Sequence, residues 1–252
     1  MHVHLGLAID EVLFNAVESP GYAGPAILRC YQFSPPSMVL GCHQDISEVD
    51  VSYIASKPLQ LGRRITGGGA IIMGVPDADS QLGVSIIVRH GPGFPVKPGA
   101  RYALLASPVV EALRLLGLDV VYEMNSDITL GGRKIAGQAA VLAGDVTFLH
   151  SSITIEYDLA TMLRVARVEP DAIAMERHGK KFTTLKDHLP GISVQAVKAA
   201  LAQAIASTLG GPVEPVSLSP LELDRARALV ASKHGDPRYL FSDGGNMGSC
   251  FL

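Results

Sequence analysis

The chain has 252 residues, 48% of them hydrophobic, with no tryptophan and a formal charge of −3 at pH 7; that suffices for one large domain, with or without a small appendage. Near-neutral charge without a long Lys/Arg run argues against nucleic acid or an anionic membrane as a partner, and the scattered Cys30, Cys42 and Cys250 suit neither a disulfide framework nor a zinc site. With no basic leader and no apolar run long enough to span a bilayer, the expectation is a soluble, cytoplasmic protein.

In chain order, "DEVLFNAV" has helical apolar spacing and stops at Pro20-Gly21. "AILRCYQF" and "SMVLGCHQD" read as two strands around the Ser34-Pro35-Pro36 turn, and "VSYIASKP" as a short helix ended by Pro58. "AIIM" and "QLGVSIIVRH" flank "GVPDAD" as strand, loop and strand. The loop "GPGFPVKPG" leads into a long helix, "ARYALLASPVVEALRLLGL", closed by Gly117. From "DVVYEM" to "ITIEYD", glycine turns separate several strands, and "LATMLRVA", "VQAVKAALAQAIASTLG" and "PLELDRARALVASKH" follow as helices. Strands and helices mix without βαβ alternation, which predicts an α+β fold with mixed, largely antiparallel sheets packed with helices. The composition shifts at "GGPVEPVSLSP", predicting a domain over 1–215 and a short helical tail over 216–252.

Two glycine-rich stretches carry chemistry. In "GRRITGGGAIIMG", Gly62–Gly74, the run Gly67, Gly68, Gly69 is either a strand bulge or a place where successive N–H groups converge on an anion. It is neither a nucleotide-hydrolase phosphate loop nor a dinucleotide fingerprint, lacking the Lys-Ser/Thr of one and the helix of the other. Arg63 or Arg64 could add a bidentate contact; strand alternation lets one of the two reach the site. In "NSDITLGGRKIAGQA", Asn125 and Asp127 precede the Gly131-Gly132 turn, and Lys134 begins the return strand with Gly137 leaving room beside it. That lysine is either an exposed strand residue or an ammonium aimed at an anion.

In this order the motifs resemble the lipoate–protein ligase A family, relatives of biotin–protein ligases and octanoyl transferases. "RRITGGGA", from Arg63 through Thr66 to Ala70, is similar to its RRxTGGGAV signature, and "DITLGGRKIAGQA" to its glycine turn and Lys-Ile-(small)-Gly segment. "IDEVLFNAV", "AILRCYQFSPPSMVLGCHQD", "FLHSSITIEYDLATML" and "KKFTTLKDHLP" resemble lesser features in the same order, from about Ile9 to Leu189. The resemblance implies a biotin/lipoate ligase-like catalytic domain that activates lipoate or octanoate with ATP to an acyl-AMP. It then transfers the acyl group to a lysine of a lipoyl-domain protein. By the same resemblance Lys134 bridges carboxylate and α-phosphate, and the N–H groups of Gly67–Gly69 line them. Asp127 or Asn125 orients the adenylate, with Asp127 the candidate Mg2+ ligand, and Val39, Ile71 and Ile135 wall the acyl slot. His150 is a pocket wall or a satisfied core histidine, while Lys181, Thr183 and Thr184 touch the adenylate's far side or cap a turn.

The chain departs from that pattern at Met73, Gly74 and Gly83, where the family carries His, Asp and Asn; Asp77, Asp79 or Gln81 are candidate substitutes. Octanoyl transferases hold the acyl group on cysteine, and neither stretch where they carry it, "YEMNSD" or "VEPDAIAMERHGKK", contains one. A transferase working without ATP and a non-catalytic lipoyl-AMP binder are the alternatives. The tail is similar to the segment that leads into the family's accessory domain, so a separate small accessory subunit is a further expected partner.

Overall fold

Helix α1 spans Val3–Glu18, and strands β1 (Ile27–Tyr31) and β2 (Ser37–Leu40) follow. A short 3-10 turn, Ile46–Glu48, precedes α2 (Val51–Ser56), then β3 (Gln60–Arg63), β4 (Ile71–Met73) and β5 (Gln81–Arg89). Helix α3 (Pro98–Leu115) leads to β6 (Val120–Glu123), β7 (Asp127–Leu130), β8 (Arg133–Ala143) and β9 (Val146–Thr154). The rest is helical: α4 (Leu159–Val165), α5 (Ala172–Gly179), α6 (Leu185–His188), α7 (Val194–Thr208), α8 (Pro220–Leu229), a π-helical turn Val230–His234 and α9 (Pro237–Leu240). The computed structural model describes residues 1–123, 127–210 and 213–244.

The strands form two sheets, a six-stranded one in the order β1-β5-β9-β8-β7-β6 and a three-stranded one in the order β3-β2-β4. Every pairing in the large sheet is antiparallel, and in the small one β2 runs parallel to β3 and antiparallel to β4. The fold is thus α+β with largely antiparallel sheets. Both strands around the proline turn are present, but β1 and β2 do not pair with each other. Pro35 and Pro36 offer no N–H to a ladder, and the chain crosses there from the large sheet to the small one, where β2 finds β3 and β4.

The large sheet is covered on both faces, which is why β5 reads as a continuous apolar run rather than an alternating one. Leu82, Val84 and Ile86 pack with Leu149 and Ile153 under Leu105, Val109 and Leu113 of α3 and Val197 and Leu201 of α7. The intervening Ile87 and Phe148 face Ile9, Val12 and Phe14 of α1. The helical tail shares this second core through Ala226. Glu11 of α1 accepts from Lys233 Nζ at 2.9 Å and pairs with His234 Nε2 at 2.8 Å. These contacts hold the Glu11 carboxyl below its ordinary value against the opposing effect of burial.

Candidate active site

Where the two sheets meet, they enclose a cleft of about 220 Å³. Register sets Tyr31, Gly83, Ser152, Gly137 and Asp127 side by side on five consecutive strands of the large sheet, and of these Tyr31, Gly137 and Ser152 line the cleft. Its opposite wall is the small sheet, with Val39 and Ile71–Met73. The β1 end is apolar, with Leu7, Tyr31 and Phe33; the β8 end carries Lys134, Tyr157 and Phe182.

A bulge puts Lys134 in this cleft. Ile128 pairs with Ala136 but Thr129 pairs with Lys134, leaving Ile135 as the extra residue. In a regular strand Lys134 and Gly137, three apart, would face opposite sides. With the bulge the lysine lies over Gly137, where a Cβ would come within 2.9 Å of its Cε and Nζ. The ammonium contacts Asp127 Oδ1 at 2.7 Å, each side chain 36% exposed. The backbone of Lys134 is also held: its N–H donates to Lys181 O at 2.8 Å, and its carbonyl accepts from Thr183 N at 2.9 Å.

The glycine run is shaped by Arg64. Its buried guanidinium donates to Val39 O, to Gly67 O at 2.6 Å and Gly69 O at 2.8 Å, and through Nε to Thr66 Oγ1. Desolvation lowers its pKa to about 10, still charged at neutral pH. In a trans peptide the C=O and the next N–H point opposite ways. Drawing the Gly67 and Gly69 carbonyls toward Arg64 therefore turns the Gly68 and Ala70 N–H groups away from it. Among the described residues no acceptor takes the N–H of Gly67, Gly68, Gly69 or Ala70. Gly68 has φ +83°, and a Cβ there would lie 3.1 Å from Arg64 Nη2. Underneath, Gly41 touches the loop so closely that a Cβ would stand 2.1 Å from Gly68 O.

Other candidates lie elsewhere. Arg63 turns away from the cleft: fully buried, it donates to the carbonyls of Gly41, Cys42, Gln44, Leu240 and Ser242, tying the tail to the turn beneath the glycine loop. Arg63→Ala is expected to leave those carbonyls unpaired and cost about 3 kcal/mol or more, read as a lower urea midpoint. Gln81 borders the cleft, but its amide is consumed by Gly74 N, Val75 and Glu156 O. Thr183 spends its hydroxyl on Asp187 and His188, and Lys181 meets Lys134 through its backbone. Thr184 caps α6. Asp77 bonds Ser80, and Asp79 bonds Gln32. Ile135 is sealed in the α3/α7 core rather than walling the cleft. Asn125 lies outside the described residues.

At two of the departures a side chain would meet close neighbours. Gly74 has φ +80° and a Cβ would stand 2.8 Å from Phe33 O, while at Gly83 it would meet the Tyr31 ring at 2.3 Å. The aromatics at the two ends, Tyr31 and Phe33 at one and Tyr157 and Phe182 at the other, were missed from the sequence, because their neighbours on the cleft wall come from distant segments.

His150 is in the cleft wall, on β9 beside Ala139, its Nε2 2.9 Å from Thr66 Oγ1 and its ring edge-on to Phe148. Burial first, then the Arg64 charge, pushes its pKa well below the ordinary value of 6.5. The unfolded chain therefore takes up a proton near pH 6.5 that the folded protein refuses, so stability is full above that pH and falls as pH drops below it. The slope contributed is up to ~1.4 kcal/mol per pH unit. His150→Phe should flatten the loss between pH 6.5 and 5 in urea titrations, and an unchanged slope would refute the assignment.

Fold and cleft together define a catalytic domain of the lipoyl-ligase type. The chain belongs to the family described as the lipoyl protein ligase A/B catalytic domain, which matches residues 2–206. It is 27% identical to octanoyltransferase LipM of Kyrpidia tusciae, over 91% of this chain and 92% of that protein. It is 25% identical to lipoate-protein ligase A subunit 1 of Thermoplasma acidophilum, over 92% and 90% respectively. The fold matches the bipartite lipoate protein ligase structure from Thermoplasma acidophilum at TM-score 0.83 and 24% identity, covering 95% of this chain and 92% of that one. It matches a lipoate-protein ligase A crystallised with ATP at TM-score 0.81 and 24% identity, covering 95% and 94%. The chain is accordingly an enzyme of the lipoate ligase and lipoyl/octanoyl transferase family. Among the described residues no helix is long and apolar enough to cross a membrane.

Proposed function

We propose that this protein is an ATP-dependent lipoate–protein ligase whose reaction runs through a non-covalent acyl-adenylate. The observation that carries this reading is a cleft holding an ammonium and free backbone N–H groups, with no thiol in its wall among the described residues. Cys30 precedes Tyr31 on β1, faces the α3/α7 core and has its thiol pKa raised by burial. Cys42 is 1% exposed and does not line the cleft. Cys250 lies outside the described residues.

In this reading a lipoate carboxylate oxygen attacks the α-phosphorus of ATP and pyrophosphate leaves. Lys134, released from Asp127, bridges the carboxylate and phosphate oxygens as a compact charge. The N–H groups of Gly67–Ala70 bind the developing oxyanions in a preorganised, partly desolvated site. The amine of the acceptor lysine then attacks the acyl carbonyl, an amide bond forms and AMP departs. The acyl chain lies toward Val39, Ile71 and Tyr31. Asp127 suits Mg2+ as one carboxylate ligand beside nucleotide phosphates, where the ion would supply positive charge.

The test is lipoyl transfer to a lipoyl-domain acceptor, once from lipoate, ATP and magnesium and once from preformed lipoyl-AMP. Transfer from the adenylate is expected to be fast. Activation from lipoate and ATP is expected to be faster with a separate small accessory subunit than without it. Absence of transfer from either source would remove the ligase reading. The ATP-independent octanoyl transferase is the second reading, favoured by the LipM relative. Replacing Cys30, Cys42 and Cys250 with Ser or Ala should preserve transfer from lipoyl-AMP at some cost in stability. A thioester trapped on Cys42 by octanoyl carrier protein would establish the transferase instead.

A further inference from the structure

The hydrogen bonds around Thr66 decide which nitrogen of His150 carries the proton. Arg64 Nε–H can only donate, so Thr66 Oγ1 is its acceptor at 3.1 Å. Thr66 is 0% exposed, and its hydroxyl has one further described neighbour, His150 Nε2 at 2.9 Å. If Nε2 carried the proton, Thr66 would accept twice and its own hydrogen would be buried without a partner, which is the costly arrangement. The satisfied chain runs Arg64 to Thr66 to Nε2, leaving the hydrogen on Nδ1. Nδ1 bonds no described residue and is not a sealed orphan, so it opens on the cleft that the ring lines.

That donor is deeper than the lysine. His150 stands one strand over and two residues along from Gly137, about 8 Å away by strand spacing and rise. Ala139 faces it across the ladder and Phe148 packs edge-on behind it, while Val39, Leu7 and the Arg64 guanidinium line the same cleft. A methylene stem anchored by its carboxylate at Lys134 would bring the far end of the acyl group to this N–H. A plain hydrocarbon leaves the donor unpaired, whereas a dithiolane offers a polarizable sulfur acceptor, weak but better than none.

We propose that His150, held by Thr66 as the Nδ1–H tautomer, donates to a sulfur of the acyl tail and makes the cleft select lipoyl over octanoyl groups. This rests on the acyl-site reading above. Two measurements test it. Two-bond 15N–1H correlation spectra of the ligand-free protein, assigned by loss of the signal in His150→Asn, should show Nδ1 protonated and Nε2 bare. Calorimetry with preformed lipoyl-AMP and octanoyl-AMP, which bypasses activation, should show a preference of roughly tenfold for the lipoyl form. His150→Phe should abolish the preference, and His150→Asn, which puts an amide N–H near the Nδ1 position, should retain part of it. Thr66→Val, which frees the tautomer, should weaken it even if the Phe variant does not fold. An Nε2–H spectrum, or equal affinities in the wild type, would overturn the proposal while leaving the ligase reading intact. Failure of both adenylates to bind would overturn both.

Discussion

Lys134→Ala is expected to abolish adenylate formation and slow transfer from preformed lipoyl-AMP by about 10²–10³-fold, the usual cost of removing one preorganised oxyanion partner. Its fold should survive. The ion pair it loses, with Asp127, is about a third exposed on each side, and such pairs contribute ~0–1 kcal/mol. At this chain length that shifts Tm by no more than about 4 °C. Lys134→Arg should fail almost as badly. The ammonium sits in the notch over Gly137, where even one added carbon would stand 2.9 Å from it, and a planar guanidinium cannot fit as a point charge there. Wild-type yields of lipoyl-AMP from the alanine variant, measured by pyrophosphate release, would show that the lysine is only a strand residue.

Gly68→Val is expected to have the second largest effect, and to damage binding more than stability. The residue sits at φ +83°, where a side chain costs ~1–2 kcal/mol, or about 2–8 °C in Tm. Its Cβ would press on Arg64 Nη2 at 3.1 Å and on Ala139 Cβ at 3.3 Å. That pushes the guanidinium off the Gly67 and Gly69 carbonyls and lets the peptide planes turn, so the loop's N–H groups lose their set direction. Affinity for lipoyl-AMP should fall on the order of a hundredfold. Normal binding by calorimetry would reduce the glycines to a strand bulge.

Much of the molecule was legible before folding. Helical spacing in "DEVLFNAV" placed the C-terminal half of α1, and the glycine turns from Asp127 onward placed β7, β8 and β9 as successive strands. These signals are local: an apolar period and a residue able to take positive φ, as Gly131 and Gly132 do at +57° and +74°. Pairing was less legible. β1 and β2 look like neighbours in sequence but belong to different sheets, because partner choice depends on β5 and β3, far along the chain.

The sequence by itself determined the α+β class, the two glycine-rich motifs and the family to which their order points, since each depends on residue type at short spacing. Only the tertiary structure decided how the motifs are arranged. It buried Arg63 in a clamp on Leu240 and Ser242 and left Arg64 to shape the glycine loop, although the two are adjacent and chemically identical. A single bulge turned Lys134 onto the face of Gly137. The chain Arg64–Thr66–His150 likewise joins residues 84 positions apart. The physical reason is the same in each case: a buried polar group takes whatever partner the packing brings to it, and that partner is set by sheet register and helix placement rather than by its neighbours along the chain.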